Sequence, residues 1–370
     1  MNHTILILND EPTILELVRV LLEDTPPRAA VAALDWATLL QVTERSGTLI
    51  RTVERLAALG EPAPAFVATA VERERQRVRE AFELARRIAE ACDARGIPAL
   101  FPKVFQHYPD LGDDLDLLVV SPSRRVDAVI LEGLRAARRP GHWGSRIAGS
   151  VSYQVEGCST PLDIQHGRLG VAGEETAFPA ILWRERRRVV VAGLDAFTAS
   201  PEHLLVLHGV QRVYGRLGID LADVAAAATL MRRPLAWDGI LDTAAQLGVL
   251  PGLGAFLGYV EQIHRRLFGR WLLPPGLRSR LPLERWGGIA FHNGVYRHPM
   301  IRVNGALYGR RLVTALATRR WATALRVCLV PFIGLVRALR HLRRARQATP
   351  DAIAPRGALT SAAVQNGGEV

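Results

Sequence analysis

Apolar and polar positions alternate with a period that changes twice along this chain of 370 residues. Over residues 12–96 the apolar positions recur every three or four residues, through Ile14-Leu15, Leu17-Val18 and Leu21-Leu22 and again from Trp36 to Leu59. That spacing lines one face of a 3.6-residue helix, so a helical stretch is expected. A long charged helix follows over about 66–92, with Ala81, Leu84, Ala85, Ile88 and Ala89 on one face and Gly96 placed to end it. The period then shortens. Pro98–Val104 and Leu115–Val120 are short apolar runs that suit strands, joined by the polar loop Gln106–Asp113. Proline cannot donate to a ladder, so Pro98 and Pro102 confine the first run to a sheet edge. Ser121-Pro122 closes the second, and a helix is expected over about 125–138. Val151–Val155 and Thr160–Gln165 read as two more strands around Gly157, with Ala177–Leu182 and Arg188–Ala192 as runs that could extend the sheet. From Pro201 the helical spacing returns, at about 201–216, 219–230, 236–248 and 251–268. Gly252-Leu253-Gly254 has no strand before it and reads as a turn, not a dinucleotide loop.

The expected organisation is a helical arm over 1–95, an α/β core over 96–195, a helical domain with a basic end over 196–346, and a disordered tail over 347–370. The tail is rich in Ala, Pro, Gly, Ser and Thr. Ile5–Pro12 looks like the opening strand and acidic loop of a response-regulator receiver. A receiver needs a second strand ending in Asp some fifty residues on; residues 50–60 hold none, and that reading is set aside.

With 49% hydrophobic and 22% charged residues the composition is that of a globular protein. Cys92, Cys158 and Cys328 are scattered and lack CxxC spacing, which argues against a disulfide framework or a zinc site and for a reducing cytoplasm. No basic segment leads into an apolar one at the N-terminus, and no run reaches the roughly 18 apolar residues of a spanning helix. Charge is uneven. Residues 262–346 hold 18 arginines against one acid, Glu284, a net of +17 in a chain whose total is +11. Such a block suits nucleic acid or an acidic membrane surface, so a cytoplasmic protein with peripheral membrane attachment is one expectation and a solvated helical face another. Trp321–Val336, with one charge at Arg326 and arginines at both ends, suits either an interfacial helix kinked at Pro331 or, the preferred reading, a buried terminal helix with a solvated basic continuation.

The candidate chemistry lies in 97–120. Of 47 basic residues one is lysine, Lys103, eleven positions before Asp114. An ammonium is a compact point charge and guanidinium a planar fork, so the exception marks a tight polar site. Asp114 and Asp116 flank Leu115 at the start of an apolar strand, where alternation places both carboxylates on one face. Asp163 is a lone acid within a second apolar strand, where an unpaired charge is costly. Hard oxygen ligands in this pattern suit Mg²⁺ or Mn²⁺ together with substrate phosphates.

Gly96-Ile97-Pro98-Ala99-Leu100-Phe101-Pro102-Lys103, Tyr108-Pro109, Asp114-Leu115-Asp116-Leu117-Leu118-Val119 and Leu162-Asp163-Ile164 together resemble the uncharacterised nucleotidyltransferase family of the polymerase-beta-like superfamily. The likeness extends over about 35–265, including Pro201–His208 and Leu217–Val224. It implies an α+β fold: a small mixed sheet of nucleotidyltransferase type between an N-terminal helical arm and a C-terminal helical domain. It further implies an enzyme that moves a nucleoside monophosphate from an NTP to an acceptor the sequence does not name. Asp114, Asp116 and Asp163 would be the catalytic and metal-binding carboxylates, Asp163 also a general base, and Lys103 would offset phosphate charge. The chain departs from the family pattern in three places. Pro102 and Val104 flank the lysine, no arginine falls within Asp110–Asp113, and His166 stands one position late. His203, His208, Asp220 and Asp223 read as packing or capping residues. A non-catalytic scaffold that binds membrane or nucleic acid through its basic end is the alternative.

Overall fold

The computed structural model describes residues 11–26, 34–121, 125–141, 143–216, 218–281, 288–292 and 295–347, among which lie fourteen helices and nine strands. Ile5–Asp10 and the Ala348–Val370 tail fall outside the described residues. Residues up to Cys328 form one compact unit, and Leu329 begins a second.

Four helices open the chain: α1 (Glu11–Leu22), α2 (Trp36–Ser46), α3 (Leu49–Ala58) and α4 (Ala65–Asp93). Each buries the apolar face read from its spacing; in α4 that face includes Ala81, Leu84, Ala85 and Ile88. The chain leaves α4 through Gly96, whose φ of 60° is the left-handed value that glycine adopts without cost. Strands β1 (Ala99–Leu100) and β2 (Leu115–Val119) follow, then α5 (Arg125–Gly133), β3 (Ala136–Arg138), α6 (Trp143–Ala148), β4 (Ser150–Val155) and β5 (Leu162–His166). They form one mixed sheet in the order β1-β2-β5-β4-β3. Only β2 and β5 are parallel. The prolines confine β1 to two residues at the sheet edge, as expected.

Two strand expectations and one helix boundary are corrected. Ala177–Leu182 is helix α7 (Phe178–Arg184), since a short apolar run fits a buried helix as well as a strand, and Pro179 suits a first helical turn. Arg188–Ala192 is a strand, β6 (Arg187–Val191), but it pairs with β7 (Leu194–Thr198) in a separate hairpin. Its turn, Ala192-Gly193, has φ of 50° and 79°, the handedness that joins adjacent antiparallel strands tightly. The hairpin meets the sheet through a bond from Phe101 N–H to the Phe197 carbonyl, 2.9 Å. The helix expected to run to Arg138 stops at Gly133, and β3 takes its last residues.

Beyond the hairpin come α8 (Pro201–Gly209), a π-helical segment Val210–Arg216, α9 (Leu221–Met231), α10 (Trp237–Leu247), α11 (Leu250–Phe268) and α12 (Pro275–Arg278). The hairpin of β8 (Ala290–His292) and β9 (Val295–Arg297) precedes α13 (Met300–Ala317) and α14 (Trp321–Gln347). Gly252-Leu253-Gly254 lies inside α11 instead of forming a turn. A Cβ on Gly252 would stand 2.1 Å from Tyr214 Cε2, so glycine there lets the helix approach that ring. Helix α1 packs on α9, α11 and α3, bringing the two helical stretches together beside the sheet.

Candidate functional site

Parallel pairing of β2 with β5 sets Asp116 directly beside Asp163, and antiparallel pairing with β4 sets Ser152 beside Asp163. Residues in register on neighbouring strands share a face, with backbones about 4.8 Å apart. One side of the sheet therefore carries a polar row, Asp116, Asp163 and Ser152. Leu115, Leu117, Leu162, Ile164, Val151 and Tyr153 alternate with it and are buried on the other side. Asp114 occupies the bend before β2.

Lys103 closes on this row. Its Nζ lies 2.7 Å from Asp116 Oδ2, with side-chain exposures of 13% and 17%. The lysine sits on a braced segment: Thr198 Oγ1 donates to the Pro102 carbonyl at 3.3 Å, and the Lys103 carbonyl accepts from Gln106 N–H at 3.0 Å. Asp110 holds the far end of the same segment. Its carboxylate accepts from Ile50 N–H at 2.6 Å, Arg51 N–H at 3.3 Å and Arg51 Nε at 2.6 Å. The Thr48 hydroxyl pairs with Ser46 Oγ at 2.9 Å and does not cap α3, so Asp110 caps that helix from 60 residues away. Burial raises the Asp110 pKa against the opposing pull of Arg51. Just ahead of the acidic pair, Arg77 of α4 donates to the Leu111 and Gly112 carbonyls, both at 2.9 Å.

An open cleft is lined by Lys103, Asp113, Asp114 and Asp116 together with Arg45, Ser46, Gly47, His107, Arg212 and Asp220; Asp163 is not among its lining residues. Arg212, carried by the π-helical segment, reaches Asp223 Oδ1 at 2.6 Å and Asp220 Oδ2 at 3.7 Å. Burial opposes its charge, but Asp223, Asp220 and Asp116 more than offset that effect and keep it cationic. Burial, aided by Arg51, Lys103 and Arg212, pushes His107 down to about 3, so it is neutral at physiological pH. Asp220 and Asp223 form the expected reciprocal cap of α9, and Asp223 is also the counter-ion of Arg212. Sequence reading missed Arg212; a charge within the apolar stretch Leu204–Tyr214 was the available signal.

His166 stands apart. Three positions after Asp163, it points to the opposite face, buried, with Nε2 3.0 Å from Asp127 Oδ1. His203 bonds the α8 cap residue Ser200 at 2.9 Å and His208 bonds Gln106 at 2.8 Å, as packing and capping residues do.

Asp114, Asp116 and Asp163 fit a hard divalent cation in kind: all three donors are carboxylates, Asp116 and Asp163 in register and Asp114 one residue before the strand. Among the described residues no three acidic, histidine or cysteine side chains converge as a ligand set, and Asp116 is engaged by Lys103. Comparison with curated proteins gives no match. The family model described as uncharacterised nucleotidyltransferase matches residues 32–265. That span covers the helices, sheet and cleft that carry the site, and the chain belongs to this uncharacterised nucleotidyltransferase family.

Proposed function

We propose that the protein is a divalent-metal-dependent nucleotidyltransferase, joining a nucleoside monophosphate from an NTP to an acceptor hydroxyl with release of pyrophosphate. The observation that carries this reading is the pairing of Asp116 with Asp163 in register on parallel strands, beside Asp114 and a shielded lysine. Asp114, Asp116 and Asp163 would hold Mg²⁺ or Mn²⁺, which when bound supplies positive charge against the triphosphate. Asp163 takes the proton of the acceptor hydroxyl as its oxygen attacks the α-phosphorus and the bond to the bridging oxygen of pyrophosphate breaks. Lys103 offsets phosphate charge, and Arg212, fixed by Asp223, and Arg45 add further positive charge to the cleft. Catalysis of this kind comes from positioning and electrostatics, not from a covalent intermediate.

A second reading, a scaffold that keeps the fold without chemistry, draws support from the same ion pair, since Lys103 occupies a proposed metal ligand. Calorimetry separates the two. Wild type and an Asp114→Ala/Asp116→Ala double variant are titrated with each of the four NTPs in Mg²⁺. Binding by wild type that the double variant loses is expected. A folded wild type that binds none of the four would remove the enzyme reading.

A further inference from the structure

We infer that Lys103 is a latch on the metal site: without a triphosphate its ammonium holds Asp116 and keeps divalent cations off the acidic row, so metal and NTP bind cooperatively. The inference rests on the nucleotidyltransferase reading and adds the order in which its ligands are accepted.

The first support is the contact itself. At 2.7 Å, with both side chains largely shielded from water, the pair is not the exposed kind that salt and solvent cancel. Second, Asp116 and Asp163 are neighbours in register, and two carboxylates so placed repel unless a cation sits with them. The ammonium supplies that cation, and a metal ion approaching Asp116 must displace it. Third, the displaced ammonium stays in a cleft that Arg45 and Arg212 already line, where it meets two further cations as well as Asp113 and Asp114. A triphosphate changes that balance by offering the ammonium several anionic oxygens. Finally, the lysine backbone is braced on both sides while its four-carbon stem can turn, so the head can move from Asp116 to a phosphate without shifting the loop.

Linkage makes the consequence measurable. If Lys103 opposes the metal and favours the nucleotide, each ligand must tighten the other by the same factor. Mn²⁺ alone is titrated into the full-length protein and followed by the electron paramagnetic resonance of the free ion. The titration is then repeated with each of four NTP analogues that cannot be cleaved between the α- and β-phosphates. Lys103→Met is expected to bind Mn²⁺ alone about tenfold tighter than wild type, because the ammonium no longer competes for Asp116, a coupling of ordinary size. Lys103→Arg, which keeps the charge, should show no such gain. An analogue should tighten Mn²⁺ binding to wild type and do so less in Lys103→Met. A loss of packing alone would not raise metal affinity, and Lys103→Gln provides the same neutral test should the methionine variant not fold. The latch is overturned if folded Lys103→Met and Lys103→Gln bind Mn²⁺ no tighter than a wild type that still takes up Mn²⁺ with nucleotide. If wild type binds no analogue with or without Mn²⁺, the nucleotidyltransferase reading fails, and the latch with it.

Discussion

Arg311 is buried between two carboxylates, reaching Glu175 directly and Glu174 at 3.5 Å, while Tyr308 donates to the Tyr214 carbonyl at 3.0 Å. Burial, reinforced by Glu174 and opposed by Arg311, pushes Glu175 up to about 7 from its ordinary 4.5. Between those values the folded protein holds a proton that the unfolded chain has released. Stability therefore falls as pH rises through that window. In Glu175→Gln this component is absent. The stability of the variant relative to wild type should thus increase from about pH 5 to about pH 8, by up to about 3 kcal/mol. Urea denaturation of both proteins across that range checks it, and a difference that stays flat with pH would refute the assignment. Glu174-Glu175 is an unremarkable acidic pair in the sequence. Its burial depends on Arg311, more than 130 positions away, closing over it.

At the level of elements, one aspartate holds two together. Asp110 caps α3 and anchors the segment between Lys103 and Asp114, so its loss exposes helix donors and leaves the guanidinium of Arg51 without a carboxylate, bonded to the His107 carbonyl. Asp110→Ala is expected to cost about 3 kcal/mol, a cap plus a broken part-buried ion pair. The same variant should weaken nucleotide binding although Asp110 lies outside the acidic row. Thermal melts and the NTP titration together test this. A variant as stable as wild type would show that the loop is held by other contacts. The helices at this scale were legible because their faces repeat locally: Ala65–Asp93 matches the expected 66–92 closely. Ala177–Leu182 was misread because a six-residue apolar run has no period long enough to separate strand from helix. Gly252 was misread because its reason is the ring of Tyr214, not the local chain.

For the molecule as a whole, the dominant asymmetry is electrical. Residues 262–346 carry +17 and the remainder of the chain −6. No helix among the described residues is long and apolar enough to cross a membrane. We expect this block to bind polyanionic surfaces in a salt-dependent way, since each arginine that meets an anionic group releases counter-ions. Sedimentation with anionic vesicles and retention on heparin, each at low and raised salt, measure it. Absence of both at low salt would leave the block as a solvated face.

Spacing and composition were enough to identify Asp114, Asp116 and Asp163 as the acids to watch, with Lys103 beside them, and to outline an α+β chain with helices on either side of a small sheet. These features are local. Periodicity records which face of an element is buried, and a lone charge in an apolar strand is visible without its partner. The tertiary structure decided what the residues meet. Strands β2 and β5 are separated by four elements, and their register alone pairs Asp116 with Asp163 and turns His166 away. The Lys103–Asp116 contact, the cap from Asp110 and the Arg212–Asp223 pair each join residues brought together by packing. Such pairings are chosen by the summed burial of many side chains distributed over the whole fold, and no short stretch of sequence carries that sum.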